Sequence, residues 1–310
     1  MTRIQEVLWK LDWDYIGNPY YVSGHAIYSA LARHLPADVK QALHVSPGVF
    51  VPGEYGAYPD AHSQSGGVPY MGTGLRPVEE YADLFVFRDA AQRWLSETRP
   101  RDAHNTHTMR QFGDRTGYGA TRTFSRPPEK RNSKRTMSWY IHAYCHTDAN
   151  GQLPLSEETL DGLRLGGARN YGFGQTTLEA TRCIDLDGLS YPRLEQADAY
   201  QIELHSPYVL ASDYPGADDQ SVPWWWDYDG DLRRRDTQLI KGDTTYDLRT
   251  VDHGQIVTYD GNSPIMSAEA GLFGIGTHSK YGFGQYRFRP ASDDRVPERA
   301  ADSKPHRGDL

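Results

Sequence analysis

LGGARNYGFGQ at residues 165–175 and IGTHSKYGFGQ at residues 275–285 align without a gap, 110 residues apart. Six of the eleven positions are identical: three glycines, a tyrosine, a phenylalanine and a glutamine. Each copy is followed by a run rich in β-branched or aromatic residues, at 176–180 and at 286–289. This pattern predicts that a glycine-rich loop leads into a strand twice, and so that the chain has two related halves.

Alternating apolar and polar residues predict that each half opens with a strand. Residues 6–13 (EVLWKLDW) alternate in the first half, and residues 200–205 do so in the second, before the turn-prone Ser206-Pro207. A further strand of the second half is predicted at about 255–259. We find no clear signal for a second helix in that half.

The first half carries more signals of regular structure. Ser23 is the predicted N-cap of a helix that ends near Pro36, and residues 136–145 predict a strand. A second helix is predicted over 154–163, with Ser156 as its cap and acidic residues in its first turn. The order strand, helix, strands, helix, glycine loop, strand is that of a ferredoxin-like fold.

Basic residues are concentrated in one segment of an otherwise acidic chain. The whole chain has 33 Lys and Arg against 41 Asp and Glu, a net charge of −8. Residues 110–135 contain eight basic and two acidic residues, so this segment is +6 and the remainder is −14. Its glycines and prolines, without a helical or strand period, predict a long mobile loop. Aromatic residues between the arginines favour nucleic acid over a merely solvated insertion.

The glycine loops have a chemistry of their own. Glycine adopts positive φ angles and lets backbone N–H groups approach a phosphate chain. A P-loop would end in Gly-Lys-Ser/Thr, and a dinucleotide fingerprint would open a helix, whereas strands are predicted to follow both loops. The alternative is that both loops are tight turns that pack Phe173 and Phe283 into a core.

These residues carry a family resemblance. Residues 163–174 (LRLGGARNYGFG) resemble the signature loop of RAMP proteins, the repeat-associated RNA-binding proteins of CRISPR systems. Residues 274–284 (GIGTHSKYGFG) resemble the carboxy-terminal glycine loop of the same superfamily. Residues 203–210 (ELHSPYVL) resemble the strand that opens the second domain of many members.

The resemblance implies an α+β protein with tandem ferredoxin-like (RRM-like) domains that binds CRISPR RNA. The expected first domain spans 1–190 and carries the large basic insertion at about 53–135, where backbone subunits of the family have a thumb-like projection. Residues 79–97 predict an extra helix within that insertion. The expected second domain spans 198–290, and residues 291–310 predict a disordered tail.

Two functions from different classes follow from the resemblance. The first is a non-catalytic subunit of an effector ribonucleoprotein, and the second is a metal-independent endoribonuclease that cuts repeat RNA. The enzyme needs a general acid and base, for which histidine is suited. Resembling enzymes use a histidine near the first helix, so His25 and His44 are the candidates. The complete signature loop in the first half favours the effector subunit.

The predicted RNA contacts lie in three segments. They are Gly166, Gly167, Arg169, Tyr171, Gly172 and Gly174 in the first loop; Gly276, His278, Lys280, Gly282 and Gly284 in the second; and Arg115, Arg122, Arg126, Lys130 and Arg131 in the basic segment.

Other signals are weaker. His142 and His146 are spaced for a metal with Cys145 between them, but on a strand Cys145 faces the opposite side. We therefore predict no metal and no cofactor. Trp224, Trp225 and Trp226, in an acidic segment, predict either a partner surface or a fold-back onto their own domain.

Partners and compartment follow from composition. No run of apolar residues is long enough for a membrane span, and the first residues do not resemble a secretory signal. The chain has only two cysteines, so we expect the reducing cytoplasm. The expected partners are CRISPR RNA and the other protein subunits of an effector complex, and no membrane.

Overall fold

A computed structural model describes residues 2–18, 21–53, 74–75, 77–88, 116–118, 121–124, 135–148 and 152–293. Within these ranges the chain is an α+β structure of mostly antiparallel sheets with few helices. None of the helices in the described ranges has the length and apolar composition that crossing a bilayer requires.

The described ranges of the first half contain nine strands, three α-helices and the α-helical residues 86–88. The strands are β1 Arg3–Leu11, β2 Tyr15–Gly17, β3 Tyr21–Val22, β4 Leu43–Val45, β5 Gly48–Gly53, β6 Thr116–Tyr118, β7 Thr121–Phe124, β8 Arg135–Thr147 and β9 Thr176–Asp185. The helices are α1 Gly24–Leu31, α2 Ala37–Ala42 and α3 Glu157–Leu160.

The main sheet of the first half has β8 at its centre, in the order β3-β5-β8-β1-β9. β1 pairs antiparallel with β8 on one side and with β9 on the other. The other edge of β8 pairs with β4, β5 and β7, and β3 extends the sheet beyond β5. The Ser23 hydroxyl accepts a hydrogen bond from the Ala26 N–H at the start of α1, as predicted. Ile27 and Leu31 of α1 pack into the core of the half.

The second half contains seven strands and two α-helices. The strands are β10 Tyr200–Leu204, β11 Tyr208–Ser212, β12 Trp226–Asp227, β13 Arg234–Lys241, β14 Thr244–Val251, β15 Ile256–Tyr259 and β16 Tyr286–Pro290. A short helix, α4 Pro192–Glu195, precedes β10, and α5 Pro264–Phe273 precedes the second glycine loop. One sheet has the order β12-β15-β10-β16, and β11, β14 and β13 form a separate antiparallel sheet.

The predicted repeat reappears in the pairing of strands. In each half the strand after the glycine loop pairs antiparallel with the strand that opens the half, β9 with β1 and β16 with β10. The halves are not separate bodies, because one apolar cluster contains Ile4 and Ile184 of the first together with Ile202 and Phe288 of the second. The position of each glycine loop is therefore determined by the sheet of its own half and by the interface between halves.

Four local predictions differ from the structure. The helix expected over 154–163 is limited to α3, although Ser156 caps it as predicted. The extra helix expected over 79–97 begins as a 3-10 helix at Tyr81–Phe85 and continues as α-helix over 86–88, and residues 89–97 lie outside the described residues. The segment expected to lack a strand period contains β6 and β7, whose Thr, Tyr and Phe residues suit strands.

The fourth difference is α5, a helix for which the sequence shows no clear signal. Its sequence, PIMSAEAGLF, has one charged residue and a glycine, so polar and apolar faces contrast little. Gly271 is nevertheless required there, because a Cβ atom at this position would lie 2.5 Å from the Tyr286 carbonyl oxygen of β16. The helix therefore depends on close packing against the sheet, which the helix propensities of its residues do not predict.

Candidate nucleic-acid interface

The first glycine loop, residues 165–175, is a hairpin held by backbone hydrogen bonds. The Leu165 N–H donates to the Gly174 carbonyl oxygen at 2.8 Å, and the Gly174 N–H donates to the Asp14 carbonyl oxygen at 2.8 Å. Gly166, Gly172 and Gly174 have φ angles of 84°, 91° and 69°. A Cβ atom on Gly174 would lie 1.8 Å from the Leu165 carbonyl oxygen, so only glycine closes this hairpin.

The second glycine loop, residues 275–285, repeats this backbone. The Ile275 N–H donates to the Gly284 carbonyl oxygen at 3.1 Å, and the Gly284 N–H donates to the Pro207 carbonyl oxygen at 2.8 Å. Gly276, Gly282 and Gly284 have φ angles of 89°, 74° and 69°. The repeat seen in the sequence is therefore also a repeat of backbone structure.

The tip of the first loop projects into solvent. Tyr171 is 73% exposed, and Asn170 beside it is exposed as well. No atom lies within 4 Å of the place that a Cβ atom on Gly172 would occupy. The Gly167 N–H is already used, because it donates to the Ile16 carbonyl oxygen at 2.7 Å. This loop therefore presents an aromatic side chain more than a row of free amides.

The second loop is packed against the first half. A Cβ atom on Gly282 would lie 2.7 Å from the Val45 carbonyl oxygen and 2.9 Å from the Cα of Gly24 at the start of α1. Gly282 and Gly284 are buried. His278 is 2% exposed, and its ring nitrogens lie 3.2 Å from the Ser212 hydroxyl and 2.8 Å from the Thr277 hydroxyl. These predicted contact residues lie in an internal junction, not on open surface.

Three arginines lie around the first loop, and we call Arg33, Arg164 and Arg169 the arginine cluster. Burial and the nearby charge of Arg33 lower the pKa of Arg169. The Arg164 guanidinium donates to the Arg169 carbonyl oxygen at 3.3 Å. None of the three forms an ion pair with a carboxylate in the described part of the chain. Like charges without a counterion are unfavourable, and an anion would relieve their repulsion.

Beside the second loop lies a tyrosine–lysine cluster, comprising Tyr28, Tyr214, Lys241, Lys280 and Tyr281. The Lys241 ammonium donates to the Tyr214 hydroxyl at 2.5 Å, and this bond lowers the pKa of Tyr214. Lys280 donates to the Gln41 carbonyl oxygen at 2.6 Å and lies over the Tyr28 ring, 5.4 Å from its centroid. Cations beside aromatic rings are the composition that single-stranded nucleic acid favours.

His25 lies on α1 between the two loops. Its Nε2 is 3.3 Å from the Ser29 hydroxyl, and its ring packs edge-on against Tyr281, with centroids 5.6 Å apart. Burial, followed by the charge of Arg169, lowers the pKa of His25 to about 4. A histidine with this pKa is neutral at pH 7 and is a weaker base than one tuned near neutrality.

His44, the other catalytic candidate, lies on β4. Its Nε2 is 2.8 Å from Asp148 Oδ2, and its ring is 4.5 Å from that of His146 between centroids. The two catalytic candidates therefore contact different partners: His25 lies beside Ser29 and Tyr281, and His44 lies beside Asp148 and His146.

Several predicted site residues lie outside the described residues. They are Arg115, Arg126, Lys130 and Arg131 of the basic segment. The backbone of Arg122 lies in β7, opposite Met137 of β8, but its side chain is outside the description. The tail from residue 294 onward is also outside it.

Residues that sequence reasoning missed complete the surface. Arg33 follows α1 by two residues, and His25, Ser29 and Arg33 recur every four residues, which places them on one helical face. That spacing was visible in the sequence. The sequence does not indicate that Lys241 and Tyr214 lie beside the second loop. Lys241 belongs to the separate sheet of β11, β13 and β14, and Tyr214 lies in the connection that follows β11.

The structure also shows where two other sequence signals lie, the histidines of β8 and the three tryptophans. His142 is buried and lies 2.6 Å from Glu6 Oε1, while Cys145 is buried on the other side of β8, so these residues do not form one site. Trp226 is 3% exposed and Trp225 packs against the core, whereas Trp224 is 77% exposed. Trp225 and Trp226 thus fold back onto their own half, and a partner surface at Trp224 stays a prediction.

No protein-family model matches this chain, and no curated protein gives a significant match.

Proposed function

We propose that the chain is a RAMP-type protein that binds CRISPR RNA as a non-catalytic subunit of an effector ribonucleoprotein. The observation that carries the proposal is the exposed first loop, with Tyr171 at its tip and the arginine cluster around it. Its expected partners are RNA and further protein subunits. Both cysteines are free, which suits a reducing cytoplasm.

The strand order supports tandem ferredoxin-like domains. In the first half the order β9-β1-β8-β5, with α1 after the first strand and α3 before the last, follows the ferredoxin-like arrangement. In the second half β16-β10-β15 has the same order, with α5 before the last strand. There the sheet of β11, β13 and β14 stands where the first helix would be expected.

The chemistry of the first loop suits a ribose-phosphate strand with unstacked bases. Guanidinium groups bind phosphate oxygens in a bidentate geometry, and a phosphate would offset the repulsion between Arg33 and Arg169. The exposed ring of Tyr171 provides a platform on which a base can stack without sequence preference. The second loop contributes indirectly, because it fixes α1, which carries Arg33 at its end.

The alternative of a repeat-RNA endoribonuclease receives less support. Its two histidine candidates contact different side chains, and His25 has its pKa lowered to about 4 and its ring packed against Tyr281. His44 is engaged with Asp148. Both observations favour positioning or structural roles for these side chains.

The test is a titration of full-length protein with a labelled repeat–spacer RNA at several salt concentrations. We expect Arg169→Ala and Arg33→Ala each to weaken binding and to lower the slope of log affinity against log salt by about 1, the value for one lost phosphate contact. Arg234→Ala is the matched control, because Arg234 is an exposed arginine in β13 of the second half.

Equal affinity and equal salt slope for all three variants and the unmodified chain would overturn the proposal. The same samples, incubated with repeat RNA in chelator, separate the two functional classes. We expect intact RNA. Cleavage that disappears in His25→Ala would assign the protein to the endoribonucleases instead.

A further inference from the structure

A second group of polar side chains lies on the first half, where β4 pairs with β8. His44 of β4 and His146 of β8 are directly opposite each other in the antiparallel register, and Asp148 follows the end of β8. One potential ligand atom from each of the three residues lies within 4.8 Å of the other two. It is the one such group of His, Cys, Asp and Glu found among the described residues.

The backbone holds these three side chains in place. The ladder between β4 and β8 pairs His44 with His146, and the Asp148 N–H donates to the Ala42 carbonyl oxygen at 3.2 Å, which extends the pairing past the strand end. The His146 ring is bounded on its other side by Phe273 of α5, with centroids 4.3 Å apart. The group is therefore built on sheet and helix ends, which position ligands more rigidly than loops do.

The hydrogen bonds of this group are incomplete. The His44 Nε2 is paired with Asp148 Oδ2 at 2.8 Å, but its buried Nδ1 has no hydrogen-bond partner among the described residues. Neither ring nitrogen of His146 forms a hydrogen bond with any residue that the structure describes. The Asp148 carboxylate pairs with only one of the two imidazoles. The half-buried rings of His44 and His146, which contact each other, therefore have further ring nitrogens that can donate or accept.

We propose that His44, His146 and Asp148 bind one divalent transition-metal ion, with zinc as the expected occupant. Two imidazoles and one carboxylate are ligands that zinc accepts. Two ligand atoms on a tetrahedral zinc lie roughly 3.3 Å apart, given metal–ligand distances of about 2.0–2.2 Å. The His44 Nε2 and Asp148 Oδ2 atoms are 2.8 Å apart and all three ligand atoms lie within 4.8 Å of one another, and Asp148, whose side chain is 68% exposed, can move to adjust these separations.

Three protein ligands leave a fourth position open to solvent on the side of Asp148. The metal would join β4 to the end of β8. The carbonyl oxygen of Val45, next to His44, lies close to Gly282 of the second loop. The ion would therefore stabilise the surface against which that loop packs. It would also occupy His44, which then has no role as a general base.

The experiment uses the full-length chain without a histidine tag, stripped of metal and titrated with Zn²⁺ against a chromophoric chelator. We expect one ion to bind tightly. Asp148→Ala and His146→Gln should each weaken binding by more than tenfold, since even loss of a ligand's hydrogen-bond partner commonly costs 10–100-fold. His34→Gln is the matched control, because His34 is exposed and outside the group.

A second readout separates loss of the site from loss of the fold. Zinc should raise the unfolding temperature of the unmodified chain and of His34→Gln but not that of Asp148→Ala, whose exposed side chain is not needed for folding. A Co²⁺ complex with the absorption of a four-coordinate ion is expected from the unmodified chain. Absence of tight binding, or equal zinc affinity in Asp148→Ala, His146→Gln and the unmodified chain, would overturn the proposal.

Discussion

The two glycine loops have the same backbone but different surroundings. Their glycines at equivalent positions have φ angles within about 20° of each other, and both hairpins close with the same hydrogen bond. The first loop leaves Tyr171 73% exposed beside the arginine cluster. The second buries Gly282 against Gly24 and Val45 of the other half.

The glycine pattern specifies a hairpin, while the packing around the hairpin determines what it can bind or support. An exposed tip with unpaired cations can meet a ligand. A buried tip joins two halves of the chain, and its glycines are there because backbone approaches backbone. Substitutions at equivalent positions should therefore have different effects in the two loops.

The largest difference is expected between Gly282→Ala and Gly172→Ala. The first places a Cβ atom 2.7 Å from the Val45 carbonyl oxygen at a positive φ, and we expect the free energy of unfolding to fall by about 3 kcal/mol. The second meets open space, so only the positive φ matters and the loss is about 1 kcal/mol. Urea unfolding followed by circular dichroism measures both.

Equal losses at the two positions would show that the second loop is not docked as described. Gly216→Ala, at another positive-φ glycine with no atom within 4 Å, is a control for the cost of backbone strain alone.

A smaller difference is expected at the last position of each loop. The Gln285 amide donates to the Leu272 carbonyl oxygen at 3.0 Å, and its Oε1 accepts a hydrogen bond from the buried Arg88. Gln285→Ala removes both bonds inside the core, and we expect a loss of about 2 kcal/mol. Gln175 is half-buried and makes no side-chain bond with any described residue, so Gln175→Ala should cost about 0.5 kcal/mol or less. Thermal and urea unfolding of the two variants measure these losses. A larger loss for Gln175→Ala than for Gln285→Ala would contradict the prediction.

The third prediction concerns pH and the helix between the loops. His25 has its pKa lowered from 6.5 to about 4, so the unfolded chain binds a proton that the folded chain does not. Stability is therefore present above pH 6.5 and falls as the pH drops toward 4. For this one group the loss between pH 7.5 and pH 5 is at most about 2 kcal/mol. Unfolding of His25→Gln should show a pH dependence weaker by that amount. An unchanged pH dependence would mean that His25 is not buried between the loops.

Much of the fold could be predicted from the sequence because its signals are local. The Ser23 cap, the alternation that predicts β1 and β10 and the repeated glycines each report on a few neighbouring residues. By contrast, α5 depends on Gly271 packing against β16, a contact between residues fifteen positions apart that no periodicity reveals. Likewise, β6 depends on pairing with β2, near the start of the chain.

The candidate site could be predicted only in part. Arg169 and Tyr171 were found because they lie in the repeat. The repeat also predicts His278 and Gly282 as RNA contacts, but both residues are buried by the contact between halves, which is a long-range property. Arg33 and Tyr28 enter the surface because folding brings α1 beside both loops.

The most direct test of the central claim is the affinity of Tyr171→Ala for a labelled repeat–spacer RNA. Loss of one stacking platform should weaken binding by about 1–3 kcal/mol and leave the unfolding temperature unchanged, because Tyr171 is exposed. Tyr228→Ala, an exposed tyrosine of the acidic segment in the second half, should bind as the unmodified chain does. If Tyr171→Ala and Tyr228→Ala bind RNA equally well, the exposed glycine loop is not the RNA-binding element.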